Sequence, residues 1–151
     1  MYKNLLYHIV FSTKYRKDTI TIEHETILYK FIWKFAQENK SVLYRVGGMP
    51  NHVHILIDIH PTIAISDFLR DLKSTSSGFL KKFEKEFPEF IGWGKTYGIF
   101  SYSSKEKETI INYIKKQKTH HSSETYEDEL RRLLIENGVE INEEYFLKDD
   151  D

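Results

Sequence analysis

Two histidines one residue apart, His52 and His54, lie in the segment GGMPNHVHILIDI, which is otherwise typical of a buried strand. Side chains alternate along a strand, so both imidazoles share one face with Leu56 and Asp58. Each neutral imidazole offers one nitrogen lone pair, and two of them at this spacing can converge on one metal ion. The alternative is that the two histidines are partly exposed side chains on a strand and bind no metal. The pattern predicts part of a metal site whose remaining ligands come from elsewhere in the chain.

A second candidate segment is ETIINYIKKQKTHH, residues 108–121. Tyr113 and Gln117 are four residues apart, which places them on one face of a helix. The isoleucines beside them form an apolar stripe that would anchor this helix, and its lysines make it basic. An isolated tyrosine in this position would be expected only to pack. The glutamine one turn away and the separate His-x-His strand favour a chemical role for Tyr113.

Hydrophobic periodicity predicts the elements that must position these residues. The expected strands cover 2–12, 41–48, 51–59 and 96–103, and the expected helices cover 22–39, 66–87, 104–121 and 124–137. Ser66 and the Ser103/Glu106 pair are expected to cap helices, and Gly138 to end the last one. The order β-α-β-β-α-β predicts an α+β, ferredoxin-like antiparallel sheet with helices on one face. The other face is expected to stay open, with both imidazoles on it.

Composition limits the class of protein. The 151 residues suit one domain and contain no cysteine, which excludes a disulfide scaffold, a cysteine-based zinc site and a cysteine nucleophile. No apolar run approaches the length of a membrane span, and the N-terminal segment lacks the features of a signal peptide. We therefore expect a cytoplasmic protein with no membrane partner.

The net charge of −1 hides an asymmetry along the chain. Residues 1–123 carry 19 lysines and arginines against 12 aspartates and glutamates, a net charge of +7. Residues 124–151 carry 3 against 11, a net charge of −8. A basic body favours a polyanionic partner, whereas the acidic tail could be a solvated segment without a role.

Five segments, in this order along roughly residues 2–120, resemble bacterial single-tyrosine transposases: YHIVFSTKYRK, GGMPNHVHILI, LKSTSSGFLKK, WGKTYGIFS and YIKKQ. These are the small HUH-type enzymes of insertion sequences, together with their REP-associated tyrosine transposase relatives. The most specific elements are the His-hydrophobic-His strand and the Tyr-x-x-x-Gln helix. The resemblance implies a catalytic domain over 1–122, followed by an acidic helical tail over 123–151 that it leaves without a role.

By position, the resemblance implies that His52 and His54 bind the metal, that Gln117 completes the metal site and that Tyr113 is the nucleophile. It implies that the enzyme cuts single-stranded DNA beside hairpins and rejoins it through a covalent 5′-phosphotyrosine. It further implies a homodimer in which the tyrosine helix of one subunit acts on the histidines of the other. Magnesium prefers oxygen ligands and two imidazoles suit manganese better, so a site that accepts Mg²⁺ or Mn²⁺ is expected. The protein would act in the bacterial cytoplasm, at the nucleoid.

Basic residues are weaker candidates for DNA contacts, since most single lysines are ordinary solvated side chains. The candidates are Lys14, Tyr15, Arg16, Lys17, Arg45, Lys73, Lys81 and Lys82.

Two other functions stay open. A domesticated REP-associated tyrosine transposase would share the chemistry and act on chromosomal repeats. A non-catalytic ferredoxin-like nucleic-acid-binding module would need no tyrosine or metal. The aromatic-rich strand typical of such RNA readers has no match in this sequence.

Overall fold

The computed structural model of the protein describes residues 1–120 and 123–148. The strands are β1 (Leu6–Thr13), β2 (Val42–Met49), β3 (His52–Asp58) and β4 (Trp93–Tyr102). The helices are α1 (Glu25–Glu38), α2 (Ile65–Lys81), α3 (Lys107–Lys115), α4 (Gln117–His120) and α5 (Tyr126–Glu136). The predicted order β-α-β-β-α-β followed by helices is confirmed.

The four strands form one sheet in the order β2-β3-β1-β4, and each neighbouring pair is antiparallel. This arrangement confirms the ferredoxin-like fold. Strands β1 and β3 are central, with Val10 opposite His54 and Ser12 opposite His52. The histidine pair therefore lies in the middle of the sheet, where neighbouring strands hold the backbone on both sides.

One face of the sheet carries the main apolar core beneath α1 and α2. Val53, Ile55 and Ile57 of β3 are all fully buried there, as the alternation along the strand predicts. The helices contribute apolar side chains at helical spacing: Leu28, Ile32 and Ala36 from α1, and Phe68, Leu69, Leu72 and Leu80 from α2. Removal of this apolar surface from water is the main driving force for folding of the domain.

The opposite face is covered by α3 and α5, so the prediction of an open face is wrong. Helix α3 packs Ile110 and Ile114 against the sheet, and α5 packs Leu130 and Leu133. The physical reason is that the sheet face itself carries apolar side chains that would be unfavourable in water: Leu6, Val10, Leu56 and Phe100. The two imidazoles share this face as predicted, but they are buried beneath the helices.

Several element boundaries differ from prediction. Helix α2 ends at Lys81 rather than at 87, and the chain then turns so that Phe87 and Phe90 enter the core. The residue preceding α2 is Ala64, so the predicted cap at Ser66 is wrong. Strand β4 begins at Trp93 rather than at 96, so its antiparallel pairing with β1 extends to Trp93 opposite Thr13.

The predicted helix over 104–121 is divided. It begins with a 3-10 turn, Ser104–Glu106, and Ser103 makes no capping bond to the backbone. Helix α3 ends at Lys115 and α4 begins at Gln117, while the predicted end at 121 lies outside the described residues. In α5, Thr125 caps the first turn by accepting a hydrogen bond from the Asp128 amide at 3.2 Å. Gly138 follows the helix with φ +68°, which confirms the predicted stop.

The helices over residues 1–120 and 123–148 include none long and apolar enough to cross a membrane. The proposed division of the chain at 122/123 stays a prediction. Helix α5, which follows this division, packs on the sheet formed by the residues before it.

Candidate active site

The hairpin between β2 and β3 fixes the two histidines. Gly48 passes so close to the next strand that a Cβ atom would lie 2.2 Å from the carbonyl oxygen of His52. Only glycine therefore permits this approach of β2. The side chains of His52 and His54 are 0% exposed, and their ring centroids are 5.0 Å apart. The strand thus presents two neighbouring imidazoles on one face, as the sequence predicts.

Tyr113 and Gln117 reach these histidines although the helix is interrupted between them. Lys116 leaves the helical conformation with φ −96° and ψ 17°, so the two residues belong to successive helices. The Oε1 atom of Gln117 lies 2.9 Å from Nε2 of His52. The ring of Tyr113 lies 5.8 Å from that of His54, edge to face. All four residues predicted to form the site are therefore close together within one chain, while their roles stay predictions.

A fifth residue, Glu129 of α5, was not predicted. Its carboxylate is fully buried, with Oε1 at 3.1 Å from Nε2 of His52 and 3.0 Å from Nε2 of His54. Its other oxygen accepts hydrogen bonds from the Gln117 amide, at 2.8 Å, and from the Tyr113 hydroxyl. One carboxylate therefore joins the tyrosine to the histidine pair.

The sequence does carry a signal for Glu129. It lies three residues after Tyr126 and four before Leu133, which places a carboxylate on the apolar face of α5. A charged residue on the buried face of an amphipathic helix needs a partner, because an isolated buried charge is strongly unfavourable. The pattern could have indicated a buried polar site, although not its location.

The hydrogen bonds define which atom of His52 is available for a metal. Oδ1 of Asn51 accepts from Nδ1 of His52 at 2.7 Å, so the ring hydrogen is on Nδ1. Nε2 then faces two oxygen atoms, Oε1 of Gln117 and Oε1 of Glu129. The lone pair of Nε2 and those of the two oxygens repel one another. A proton on Nε2, or a cation between these atoms, relieves that repulsion.

The donor set fits a metal ion. One nitrogen from each of His52 and His54 and one oxygen of Glu129 lie within 4.8 Å of one another. The closest ligand-to-ligand distances are 2.9–3.1 Å. Octahedral coordination with bonds of about 2.1 Å has edges of about 3 Å. A mixed set of two imidazoles and oxygens suits Mn²⁺ and also admits Mg²⁺, although the identity of the ion does not follow from the geometry.

His8 of β1, which was also not predicted, lies behind His54. Its Nε2 is 2.8 Å from Nδ1 of His54, and the two rings stack with centroids 5.0 Å apart. Nδ1 of His8 has no hydrogen-bond partner among residues 1–120 and 123–148. Burial, and then the neighbouring His54, hold the pKa of His8 well below its usual value of 6.5. A neutral His8 can accept the Nδ1 hydrogen of His54 and leave Nε2 of that residue directed at the site.

The Tyr113 hydroxyl has two charged partners of opposite sign. It donates to Glu129 and accepts a hydrogen bond of 2.7 Å from Nη2 of Arg132. Burial, followed by the charge and hydrogen bond of Glu129, raises the pKa of Tyr113, whereas Arg132 acts in the opposite direction. The resting tyrosine is therefore a neutral phenol, and the arginine is the group that favours its anion.

The basic loop predicted to contact DNA is a short 3-10 turn after β1. Tyr15 is 40% exposed, in a left-handed conformation with φ 58°, and the Lys14 and Lys17 ammonium groups lie 5.5 and 5.7 Å from its ring centroid. Arg16 instead turns towards the C-terminal segment, where it pairs with Glu127 at 3.0 Å and donates to the Leu147 carbonyl at 3.2 Å. Three of the four residues are thus available at the surface, and Arg16 is engaged by the acidic tail.

The remaining basic candidates are dispersed. Lys73 donates to the Gly94 carbonyl at 2.5 Å, and Nε of Arg45 is buried without a hydrogen-bond partner in the described part of the chain. Lys81 and Lys82 are exposed at the end of α2, which packs on the sheet face opposite the histidines. Arg45 lines a pocket together with Gln117, whereas the structure does not bring Lys73, Lys81 and Lys82 to the site. The contacts of all four residues with DNA stay predictions.

The sequence is similar to those of known transposases. The sequence profile of the IS200-like transposases matches residues 1–117. The chain is 28% identical over 117 residues to the ISDra2 transposase TnpA of Deinococcus radiodurans, a match that covers 75% of this chain and 84% of that protein. It is 29% identical over 120 residues to the transposase for insertion sequence element IS200 of Salmonella typhimurium, covering 76% of this chain and 77% of that protein.

Two solved structures are similar. A crystal structure described as a putative transposase from Deinococcus radiodurans superposes with a TM-score of 0.58 at 28% identity, covering 77% of this chain and 93% of that one. The REP-associated tyrosine transposase bound to a REP hairpin superposes with a TM-score of 0.59 and covers 80% and 73% of the two chains. At 13% identity, the second likeness shows the fold alone. Since the family profile extends over most of the sequence, from β1 to Gln117, this chain belongs to the IS200-like transposase family.

Proposed function

We propose that this protein cleaves and rejoins single-stranded DNA next to hairpins, through a covalent bond between Tyr113 and a 5′-phosphate. One observation carries the proposal: the Tyr113 hydroxyl and the Nε2 atoms of His52 and His54 meet on the same buried carboxylate, that of Glu129. A nucleophile next to a metal-binding group is the arrangement required for metal-assisted phosphoryl transfer.

Tyrosine suits strand exchange because its phosphate ester conserves the energy of the cleaved phosphodiester. The Oη–P bond forms while the P–O3′ bond breaks, and the released strand ends in a 3′-hydroxyl. A second 3′-hydroxyl can then attack the phosphotyrosine and regenerate the tyrosine without ATP. A water nucleophile would give a hydrolysed end, from which the strand could not be resealed.

The residues that would hold the metal are His52, His54, Gln117 and Glu129. A divalent ion bound there supplies a Lewis acid that withdraws negative charge from the phosphate oxygens. The chain itself contributes orientation: Asn51 and His8 contact the far nitrogens of the two histidines and direct both Nε2 atoms to the same point.

The proton of the Tyr113 hydroxyl already points to Glu129, which is placed to receive it as Oη bonds to phosphorus. The leaving 3′-oxygen takes up a proton from solvent, so the charge balances. In the reverse step the same carboxylate returns the proton to the tyrosine. A single side chain would thus connect nucleophile activation with the metal-binding group.

The DNA partner is proposed to be a hairpin flanked by single strand, in the bacterial cytoplasm at the nucleoid. The similarity to a REP-hairpin-binding protein in fold makes a chromosomal repeat a second candidate source of that hairpin. Lys14, Tyr15 and Lys17 would contact the phosphate backbone, since their turn is exposed. A panel of hairpins from insertion-sequence ends and chromosomal repeats distinguishes the two sources.

A homodimer with a tyrosine helix acting in trans is the arrangement implied by the resemblance. In the described chain, Tyr113 instead lies beside its own His54. Mixed dimers of Tyr113→Phe and His54→Ala chains decide between these arrangements. Recovery of cleavage in the mixture supports trans action, whereas no recovery in well-mixed dimers supports a site built within one chain.

The test of the proposed function is denaturing electrophoresis of a labelled single strand that contains a hairpin from the DNA flanking the gene. With Mn²⁺ or Mg²⁺, we expect a labelled covalent protein adduct and a released 3′-hydroxyl fragment. Tyr113→Phe should bind the same DNA and form no adduct, because only the hydroxyl is lost.

Tyr102→Phe is the matched control, since this nearby tyrosine contacts Asn137 and lies outside the proposed metal group. It should form the adduct at the wild-type rate. An adduct that persists in Tyr113→Phe would assign the nucleophile to another residue. Hairpin binding without an adduct under either metal would instead support the non-catalytic binding module.

A further inference from the structure

Arg132 of α5 lies next to the proposed nucleophile, in a segment beyond the residues that the family profile matches. Its Nη2 donates to the Tyr113 hydroxyl at 2.7 Å. Nε and Nη2 also donate to the two carboxylate oxygens of Glu124, each at 2.9 Å. The guanidinium therefore holds the tyrosine oxygen and a two-oxygen anion at the same time.

These groups line an open cleft. The cleft has a volume of about 570 Å³ and is lined by Tyr113, Ser123, Glu124, Asp128 and Arg132. The ring of Tyr113 packs on its inner side against His8 and His54, with centroids 6.1 and 5.8 Å away. The cleft therefore connects solvent with the Tyr113 side chain, which lines it.

We propose that Arg132 binds the scissile phosphate, and that the Glu124 carboxylate occupies the place of that phosphate in the free protein. Carboxylate and phosphate present the same pair of oxygens to the planar guanidinium fork, which binds either through two parallel hydrogen bonds. Since Nη2 already contacts the tyrosine oxygen, a phosphate held by this fork lies beside the nucleophile. This inference rests on the proposed function and adds a substrate-binding residue to it.

The charges around the cleft support a competition between Glu124 and DNA. Among the described residues that line the cleft, Arg132 is the cation, and Glu124 and Asp128 are anionic. Glu136 contacts the far side of the guanidinium at 3.2 Å and orients it without blocking the fork. A DNA phosphate must displace Glu124, so neutralising Glu124 should strengthen phosphodiester binding.

The experiment uses the full chain, with Arg132→Gln, Arg132→Lys and Glu124→Gln as test variants. Arg131→Gln is the matched control, because this neighbouring arginine pairs with Glu143 and stacks on Phe146, away from the cleft. Phosphodiester binding is measured with the dinucleotide dTpdT in Mg²⁺ buffer, from the NMR signals of the arginine Nε–H groups. Adduct formation is measured with the labelled hairpin strand.

Removal of the guanidinium should slow adduct formation by about 100-fold or more, as for the loss of one charged donor at a reacting oxygen. Arg132→Lys should retain part of the rate, since it keeps the charge and loses the fork. Glu124→Gln should bind dTpdT several-fold more tightly, and Arg131→Gln should behave as wild type. The dinucleotide should shift the signal that is missing in Arg132→Lys.

The inference would be overturned if folded Arg132→Gln formed the adduct at a rate within about twofold of wild type. It would also be overturned if neither Arg132→Gln nor Glu124→Gln changed the affinity for dTpdT. A merely structural Arg132 would lower thermal stability without making Glu124→Gln bind more tightly. Failure of the proposed function has a different signature, because wild type would then form no adduct. The dinucleotide titration still decides whether Arg132 binds a phosphodiester in that case.

Discussion

The two faces of the sheet are built from the same strands and differ in the polar groups that they bury. The face under α1 and α2 is almost entirely apolar, with Val53, Ile55 and Ile57 of β3 in its centre. The face under α3 and α5 places His52 and His54, from the same strand, beneath a buried glutamate. Alternation along a strand therefore lets one short segment contribute to the stable core and to the candidate active site.

Stability and chemistry should therefore be separable between the two faces. A side chain in the apolar layer contributes through removal of surface from water, and its loss should lower stability with little effect on site geometry. A polar side chain of the site on the other face contributes by position and charge, so its loss should affect chemistry more than folding. The four predictions below test this contrast.

The largest expected effect is on the histidine pair. His54→Ala should reduce adduct formation in Mn²⁺ by at least about 100-fold while hairpin binding is retained, because the proposed phosphate contacts do not pass through the imidazole. Gel assays of adduct and of binding measure the two effects. His60→Ala is the matched control, since this histidine follows β3 and bonds to Thr62. Near-normal cleavage by His54→Ala would remove the metal-site interpretation.

A core truncation on the apolar face should have the opposite profile. Leu72→Ala should lower the free energy of unfolding by about 2–5 kcal/mol, because Leu72 is fully buried and its loss leaves a cavity. Urea denaturation measures the change. At a temperature where the variant stays folded, its adduct rate should be close to that of wild type. A large loss of rate in the folded variant would show that the two faces are coupled.

Tyr29 of α1 and Tyr113 of α3, which lie on opposite sides of the sheet, should make the free energy of unfolding depend on pH in the alkaline range. Burial, then the charge of Glu25, raises the pKa of Tyr29, and burial, then Glu129, raises that of Tyr113. The unfolded state releases these protons near about pH 10. The contribution of the two tyrosines to the free energy of unfolding is therefore fully present below about pH 10 and is lost as the pH rises above it. In urea titrations at about pH 9 and about pH 11, Tyr29→Phe and Tyr113→Phe should lose less stability than wild type. Equal losses would contradict the raised pKa values.

Two glycines, one on each side, should respond to alanine with opposite signs, and the smallest expected effect is at Gly78. A Cβ at Gly78 of α2 meets nothing within 4 Å, so Gly78→Ala should stabilise the protein by up to about 1 kcal/mol through helix propensity. Gly48→Ala should destabilise it, since its Cβ would meet the backbone of His52 at 2.2 Å. Urea denaturation of both variants gives the sign of each change in the free energy of unfolding. Two changes of the same sign would contradict the proposed close packing of Gly48 against His52.

Local patterns in the sequence predicted the sheet and half of the site. Alternation in β3 placed His52 and His54 on one face, and helical spacing brought Tyr113 and Gln117 to a common side even though Lys116 interrupts the helix. These predictions need only the period of a strand or a helix, which a few neighbouring residues determine. Helix ends were less predictable: α2 ends at Lys81, and the segment after it places Phe87 and Phe90 in the core.

Local sequence patterns were enough to predict the order of the elements, the apolar layer of β3 and the shared face of the histidine pair. Long-range packing, in contrast, places the acidic segment over this face and brings Glu129 and Arg132 to Tyr113. His8 likewise reaches His54 from 46 residues away through the pairing of β1 with β3. The physical reason is that burial of a carboxylate or an imidazole depends on partners distant in the chain, and no local period records which partners the fold brings together.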